Sequence, residues 1–324
     1  MSLRLTKLQK QLCNARQDGL PICSRPFDDL AKFLDSDEKT VLQEIRHLNR
    51  EGFIRRISAL INYRALGRAS TLVAAHIPQE NLQEVIEAVN SLRDVSHNYL
   101  RKHYYNLWFT FQAESPGQIG VMLSNLSARF DIDFHSLPVK RIFKLDVRFD
   151  TESEGQLSQD VEEIPESEAV ELNESEELIL SKLQDDLEPI AKPFDFLCSE
   201  GLGGEEALRV IAELIDKGVI RRIAAVVDHR KLGFVANVLF AGEVSQDKVI
   251  EAGKALARFR VVSHCYERRA LKDWPYNLFA MMHGRSIGEI QRVVDKFIEA
   301  EKIDLFELLP TTAELKKQPV KHRF

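Results

Sequence analysis

The amino-acid sequence predicts an α+β protein built by tandem duplication, each half a winged helix-turn-helix followed by a ferredoxin-like βαββαβ unit. Three observations predict this fold class. Long stretches of the first half recur in the second, each half begins with helical periodicity, and each then changes to the alternation typical of β-strands. With 324 residues, the chain is long enough to hold several such units.

The repeat is visible in four stretches that keep their order. "GFIRRISALINYRALGRAS" from Gly52 aligns with "GVIRRIAAVVDHRKLGFVA" from Gly218, and "VSHNYLR" from Val95 aligns with "VSHCYER" from Val262. "YNLWFTFQ" then aligns with "YNLFAMMH", and "HSLPV" with "ELLPT". Because the order is kept and the gaps between the stretches are small, we interpret the two halves as copies of one unit.

Each copy begins with a helical part. In "DEKTVLQEIRHLNREGFIRRI", apolar residues from Val41 to Leu48 recur at the spacing of one helix face, and Gly52 ends the helix. "EEALRVIAELIDKGVIRRI" repeats this pattern and ends at Gly218. A helix, a glycine turn and "IRRI" are typical of a helix-turn-helix that enters its wing.

The rest of each copy alternates strands and helices. "STLVAAHI", "VSHNYLR", "YNLWFTFQA" and "VKRIFKLD" predict four strands, and "ENLQEVIEAVNSL" and "GQIGVMLSNLSARF" predict two helices between them. The same order runs from "VANVLFAGEV" to "KIDLFELLP" in the second copy. The order βαββαβ predicts a sheet with both helices on one face.

An acidic stretch separates the copies. Residues 150–176 contain eleven acidic residues and no Lys or Arg, so we expect a flexible linker there. The net charge of the chain is −6, but the part outside this stretch carries about +5, which suits an anionic ligand. The expected units are a winged helix-turn-helix at 1–64, a ferredoxin-like domain at 65–149, a second winged helix-turn-helix at 177–230 and a second ferredoxin-like domain at 231–324.

Composition and charge exclude several classes of protein. No apolar run approaches the roughly 20 residues that span a bilayer, and the first residues lack a signal sequence, so we expect a cytoplasmic protein. DNA binding is not expected, because the helix at 37–51 has four acidic against three basic residues and the helix at 205–217 has four against two. The helix-turn-helix units are instead expected to pack and space the two halves.

One segment, "VVSHCYERRALKDWPYNLFAMMHGR" from Val261 to Arg285, concentrates polar and aromatic side chains. Strand alternation places His264, Tyr266 and Arg268 on one face, and the long connection "RALKDW" can act as a flap. Arginine binds carboxylates, histidine transfers protons or binds iron, and aromatic residues form flat walls. The cluster therefore favours a flat macrocycle edged with carboxylates. Core packing of the aromatic residues and solvation of the arginines stay open as alternatives.

The same segment carries a family resemblance. The order of units resembles the Lrp/AsnC regulators, and "SHCYERRALKDWPYNLFAMMHG" resembles the signature of the sirohaem decarboxylases, in the form with two fused subunits. The resemblance implies a non-oxidative carboxy-lyase that removes CO2 from the two acetate side chains of sirohaem, giving 12,18-didecarboxysirohaem. It implies no separate cofactor and a place in haem d1 or alternative haem biosynthesis, the fused form favouring haem d1.

The expected partners follow from the same resemblance. Sirohaem is the expected ligand, and neighbouring enzymes of tetrapyrrole synthesis are further candidates. The two halves are expected to pair as a pseudo-dimer within the chain, and two chains to form a homodimer. A ligand-responsive transcriptional regulator and a non-catalytic tetrapyrrole carrier are the alternative functions.

Candidate site residues come from this segment and from its copy. We expect catalysis by His264, His283 and Tyr266, with His264 or His283 as a candidate ligand of the substrate iron. The substrate-binding candidates are Arg221, Arg222, His229, Arg230, Arg268, Trp274, Tyr276, Asn277, His97, Arg101 and Tyr105. The first copy has Gln112 where the second has His283, and Gln cannot donate a proton near neutral pH. We therefore expect one complete active site, in the C-terminal half.

Overall fold

The computed structural model of the chain describes residues 5–145, 169–322 and 324. The first half contains α1 (Lys7–Asp18), α2 (Pro26–Phe33), α3 (Glu38–Arg50), β1 (Ile54–Ile61), β2 (Ala69–Ala75), α4 (Leu82–Ser91), β3 (Val95–Arg101), β4 (Leu107–Ala113), α5 (Pro116–Phe130) and β5 (Phe134–Leu145). The second half contains α6 (Glu174–Leu183), α7 (Gly204–Asp216), β6 (Ile220–Val227), β7 (Ala236–Gly242), α8 (Val249–Ala257), β8 (Val262–Arg268), β9 (Leu278–Gly284), α9 (Ile287–Glu301) and β10 (Phe306–Lys317).

The expected linker at 150–176 ends earlier than the sequence suggested. Residues 150–168 lie outside the described residues. The side chain of Asn173 accepts a hydrogen bond from the backbone N–H of Glu176, and the Glu176 carboxylate accepts one from the backbone of Asn173. This reciprocal cap stabilises the first turn of α6. Ordered structure therefore begins inside the range that we predicted to be flexible.

The two helix-turn-helix units share one hydrophobic core. α3 and α7 each bury one apolar face, as their spacing predicted. The buried residues of both faces join those of β1 and β6 in a single continuous cluster. Because burial of apolar surface is the main stabilising term, the two units hold the halves of the chain together.

The predicted wings are formed by the two halves together. β1 and β6 pair antiparallel, with Ile57 opposite Ala225 and Ala59 opposite Ile223. The expectation of a separate wing in each half was wrong in this detail. After β1 the chain turns through a 3₁₀ segment, Tyr63–Leu66, and enters another sheet as β2, so the partner of β1 comes from the other half.

Each half contributes a four-stranded antiparallel sheet, and the two sheets close on each other. The strand orders are β3-β4-β2-β5 and β8-β9-β7-β10, and the edges meet where β5 pairs with β8 and β10 with β3. β5 and β10 have twelve residues each. Each pairs through its first part within its own half and through its second part with the other half. The eight strands thus form a closed cylinder.

The interior of this cylinder has an apolar end and a polar end. An aromatic cluster from both halves fills the apolar end, and its largest members are Tyr105, Trp108, Trp274, Tyr276 and Phe279. The other end faces β1 and β6 and carries the polar residues of the candidate site. Among the helices of the described residues, none has both the length and the apolar character needed to cross a membrane.

Candidate active site

β8 presents the row of polar side chains that its alternation predicted. Cys265 packs into the core beneath the helices, and the buried Glu267 bonds to Arg141 at 2.6 Å. His264, Tyr266 and Arg268 lie on the opposite, interior face, where the guanidinium of Arg268 stands 4.7 Å from the centre of the Tyr266 ring. This stacking orients the arginine towards the interior.

β3 presents the same row at the aligned positions. His97, Tyr99 and Arg101 face the interior, and the guanidinium of Arg101 stands 5.5 Å from the centre of the Tyr99 ring. The two rows occupy equivalent places on opposite sides of the cylinder. The β3 row lies beside β10, and the β8 row lies beside β5. The structure therefore contains two related clusters of interior polar side chains, each of which is called a pocket below.

His229 and His283 lie close to the β3 row, and His283 lies near His264 of the β8 row as well. Lys317 of β10 stands opposite His97, and its ammonium donates to Nδ1 of His229 at 3.3 Å. The ring of His229 contacts that of His283, with centroids 5.0 Å apart. The first pocket is hereafter the group His97, Tyr99, Arg101, His229, His283 and Lys317. Closure of the cylinder builds this pocket from both halves, and the complete site that we expected within the C-terminal half stays a prediction.

A directed chain of hydrogen bonds runs across the first pocket. Arg101 donates to Oγ1 of Thr311 at 3.1 Å, and the Thr311 hydroxyl donates to Oδ1 of Asn237 at 2.7 Å. The amide nitrogen of Asn237 then lies 3.3 Å from Nε2 of His283. Since Oδ1 of Asn237 accepts, its amide group donates, and the proton of a neutral His283 is placed on Nδ1.

The second pocket is the group His264, Tyr266 and Arg268 with Arg64 and Arg221. Burial raises the pKa of Tyr266, and the charges of Arg268, Arg221 and Arg64 oppose that rise. The residues that align with Thr311 and His283 are Val139 and Gln112. Valine cannot relay a hydrogen bond, so the chain that orients His283 has no counterpart here.

Arg101 and Arg268 are buried cations that have no acidic partner in the part of the chain that the structure describes. Only 4% of Arg101 and 6% of Arg268 is exposed, and their guanidinium groups donate to the carbonyls of Leu309 at 2.6 Å and Leu137 at 2.7 Å. Neither forms an ion pair with an Asp or Glu of the described chain, and their Nε atoms have no hydrogen-bond partner there. Burial lowers the pKa of each to about 10. Buried charges of this kind favour an incoming anion.

The imidazoles of the first pocket are neutral in the free protein. Burial, helped by the charge of Lys317, lowers the pKa of His97 to about 4 and that of His229 to about 4. Burial and then the nearby His229 and His264 lower the pKa of His283 well below its ordinary value. The sequence suggested a histidine with a pKa near neutrality, whereas burial lowers the pKa of all three histidines here.

Several predicted substrate-binding residues lie elsewhere. Trp274, Tyr276 and Tyr105 belong to the aromatic cluster at the apolar end, at the opposite end of β9 from His283. The side chain of Asn277 binds the backbone N–H and carbonyl of Val244, at 2.9 and 2.7 Å, which gives it a structural role.

The arginines of β1 and β6, and Arg230 of the turn after β6, take different places. Arg230 lies near Tyr99 together with Arg55, since both charges oppose the rise that burial causes in the pKa of Tyr99. Arg221 belongs to the second pocket, and Arg222 lies against Gly19. The residues that the sequence reasoning missed are Lys317, Thr311, Asn237, Tyr99, Arg55 and Arg64. Within the residues that the structure describes, no group of three His, Cys, Asp or Glu side chains is placed to hold a metal ion.

Comparison with known proteins gives consistent matches along the chain. The model of the AsnC-like ligand binding domain matches residues 65–144 and 231–316, and that of the Siroheme decarboxylase NirDL-like HTH domain matches residues 9–55. The siroheme decarboxylase of Hydrogenobacter thermophilus is 33% identical over 317 residues, which cover 94% of this chain and 92% of that protein.

A shorter relative and a solved structure extend the comparison. The siroheme decarboxylase NirD subunit of Pseudomonas aeruginosa is 34% identical over 146 residues, which cover 45% of this chain and 97% of that subunit. The crystal structure of the siroheme decarboxylase NirDL in co-complex with an iron-uroporphyrin III analogue matches with a TM-score of 0.73 at 30% identity. The match covers 98% of this chain and 95% of that one.

Proposed function

This chain belongs to the sirohaem decarboxylase family, and from that membership we propose that its first pocket binds sirohaem and carries out the reaction. The activity itself is the decarboxylation of sirohaem, a carboxy-lyase reaction on an iron tetrapyrrole, and the relatives indicate no separate cofactor. One observation carries the proposal: Arg101, a buried cation with no acidic partner among the described residues, lies in the same pocket as three neutral imidazoles.

Carboxylates of the substrate supply a counter-charge for Arg101 and add to Asp228 and Glu314, which already form ion pairs with the other cations of this pocket. Arg101 and Lys317 lie on neighbouring strands of the pocket, and Arg55 and Arg230 surround Tyr99 at its rim. A charge pair in such a buried place interacts more strongly than in water. These cations hold the carboxylates that stay on the macrocycle, because stabilising the departing carboxylate would lower the energy of the ground state and slow its loss.

His283 delivers the proton in this proposal. The bond between the acetate methylene and its carboxylate breaks, CO2 leaves, and the electron pair stays on the methylene carbon, delocalised into the macrocycle. A proton then converts the methylene to a methyl group. The anionic substrate raises the pKa of His283 on entry, so the imidazole takes up a proton from solvent at Nε2 beforehand, and the Asn237 amide turns its oxygen to accept from this N–H. His229 and Lys317 form the route that reprotonates it for the second acetate.

The remaining roles are assigned by position. His264 of the neighbouring strand β8 lies near His283 and is the candidate ligand of the substrate iron, whereas Tyr266 lies with the arginines of the second pocket. The family resemblance supports 12,18-didecarboxysirohaem as the product, within haem d1 or alternative haem biosynthesis in the cytoplasm. It also supports exchange of tetrapyrroles with neighbouring pathway enzymes and pairing of two chains.

The fold supports an origin by duplication. The strand order β3-β4-β2-β5 recurs as β8-β9-β7-β10, and this order is that of a ferredoxin-like sheet. A single copy of the unit has no partner for the edge strands β3 and β5. We propose that joining two copies on one chain allowed one pocket to keep the chemistry while the other changed.

The experiment is anaerobic incubation with sirohaem, followed by the product mass. The wild-type chain should release two CO2 per macrocycle, whereas Arg101→Met should release far less at equal protein concentration. An unchanged mass with the wild-type chain, together with the absorption bands of bound pigment, would identify a carrier instead. A gel-shift assay with genomic fragments at moderate salt tests the regulator alternative, for which we expect no specific complex.

A further inference from the structure

The segment after β10 contacts the altered residues that accompany the second pocket. Tyr63 and Gln112 align with His229 and His283. The ring of His322 lies 4.3 Å from that of Tyr63, and its Nε2 lies 2.8 Å from Oε1 of Gln112. His322 thus bridges two residues whose counterparts in the first pocket contact each other directly.

The backbone of this segment is held in place by several hydrogen bonds. The N–H of His322 donates to Oε1 of Gln184 at 2.8 Å, and Nε2 of Gln184 donates back to its carbonyl at 3.0 Å. The Tyr63 hydroxyl donates to the carbonyl of Val320 at 3.2 Å. Val320 and His322 are both buried, and burial lowers the pKa of His322 to about 4. The contact is therefore a packed and hydrogen-bonded one.

The second pocket keeps the groups that bind anions. Arg268 is as deeply buried as Arg101 and equally lacks an acidic partner in the described chain, and Arg221 and Arg64 lie around Tyr266. The hydrogen-bond chain through Thr311 and the histidine pair of the first pocket are not reproduced there. Both pockets therefore have arginines that can bind carboxylates, but only the first pocket has the histidines that can deliver a proton.

We infer that the second pocket is a latent binding site for the carboxylates of a tetrapyrrole, and that residues 318–322, hereafter the closing segment, cover it through His322. The inference rests on the proposed function, since it takes the first pocket as the model for the second. In the intact chain the closing segment competes with a second macrocycle. Each chain then binds one macrocycle, in the first pocket.

The stoichiometry of iron-uroporphyrin III binding tests this inference. The full chain is titrated anaerobically with that porphyrin, and bound pigment per chain is read from its absorption. We expect one macrocycle for the wild-type chain. A stop codon after Gln318, or His322→Ala in the full chain, should expose the second pocket and raise the ratio to two. Adding Arg268→Met to either variant should return it to one.

Lys321→Ala is the matched control. Lys321 is exposed and forms an ion pair with Asp185, so its loss should leave the ratio at one. Thermal unfolding checks that each variant is folded, and His322→Ala serves if the shortened chain is not. A ratio of one for folded His322→Ala, or of two for the wild-type chain, would overturn the inference. No binding by the wild-type chain would instead refute the proposed function.

Discussion

The imidazole rings of His229 and His283 lie 5.0 Å apart, at an interplanar angle of 74°. His229 comes from the turn after β6, and His283 comes from the end of β9. The Lys317 ammonium donates a hydrogen bond to Nδ1 of His229. Burial lowers the pKa of both histidines, so two neutral rings stand beside a cation. An entering polyanion reverses this balance, because a nearby negative charge favours the protonated form.

Binding of the macrocycle should therefore take up protons. Calorimetric titration with iron-uroporphyrin III near pH 7, in buffers of different ionisation enthalpy, should show an uptake on the order of one proton per macrocycle. His283→Gln, which copies Gln112, should reduce it. Release of protons, or an uptake unchanged in His283→Gln, would contradict the assignment.

Stability should fall as the pH falls below the ordinary pKa of histidine. His97 and His229 have folded pKa values of about 4, against an ordinary value of 6.5. Between these values the unfolded chain binds more protons, so the stabilisation is complete above pH 6.5 and is lost towards pH 4. Urea unfolding at pH 7.5, 5.5 and 4.5 measures this loss. The double variant His97→Gln, His229→Gln should show a shallower fall than the control His76→Gln, which changes an exposed histidine.

Local pattern predicted the rows of the site, but not how the rows combine. The period of two along β8 sufficed to place His264, Tyr266 and Arg268 on one face, since side-chain direction in a strand is a local property. That His283 belongs with Arg101 depends on the pairing of β10 with β3, and this pairing joins residues more than 200 positions apart. No periodicity within either strand encodes which sheet edges meet.

Two further differences have the same origin. Thr311 and Lys317 lie in the polar stretch "TTAELKK", whose pattern does not indicate that they join His283. The alignment of Thr311 with Val139 does mark a difference between the two copies. Trp274 and Tyr276 suit either a ligand wall or a core. The closed cylinder shows that they belong to the core, because it packs Trp108 and Tyr105 of the first half against Trp274.

Arg101→Met should separate stability from binding. Replacing a buried, uncompensated cation with an apolar side chain of similar length should leave the free protein as stable or more stable. The loss of charged hydrogen bonds to the substrate, about 1.5–3 kcal/mol, should weaken iron-uroporphyrin III binding roughly 10- to 100-fold. Arg268→Met is the matched comparison and should weaken binding less. Equal losses in the two variants would argue against the first pocket as the site.

Trp274→Phe should act on stability alone. The indole is 3% exposed within the aromatic cluster, and its Nε1 has no acceptor in the described chain. A smaller ring in a packed core costs roughly 1–3 kcal/mol of unfolding free energy. The dissociation constant for iron-uroporphyrin III, measured by absorption, should stay within about twofold. If affinity fell strongly while stability stayed unchanged, Trp274 would instead be a substrate-binding residue.

Thr311→Val should lower turnover without changing affinity. The substitution copies Val139 and removes the hydroxyl that bonds the Asn237 side chain, so the amide no longer holds the His283 ring in its orientation. Loss of such a supporting hydrogen bond typically costs 10- to 100-fold, and here it should appear in kcat while KM changes little.

The conservative variant distinguishes orientation of His283 from simple damage to the pocket. Thr311→Ser keeps the hydroxyl and should restore most of the turnover, whereas a purely structural role of the threonine methyl group would leave Ser as impaired as Val. Val139→Thr, at the aligned position beside the second pocket, is the matched control and should leave kcat unchanged, because Gln112 cannot donate the proton there. If Thr311→Val kept full turnover, the chain from Arg101 to His283 would have no part in directing the proton.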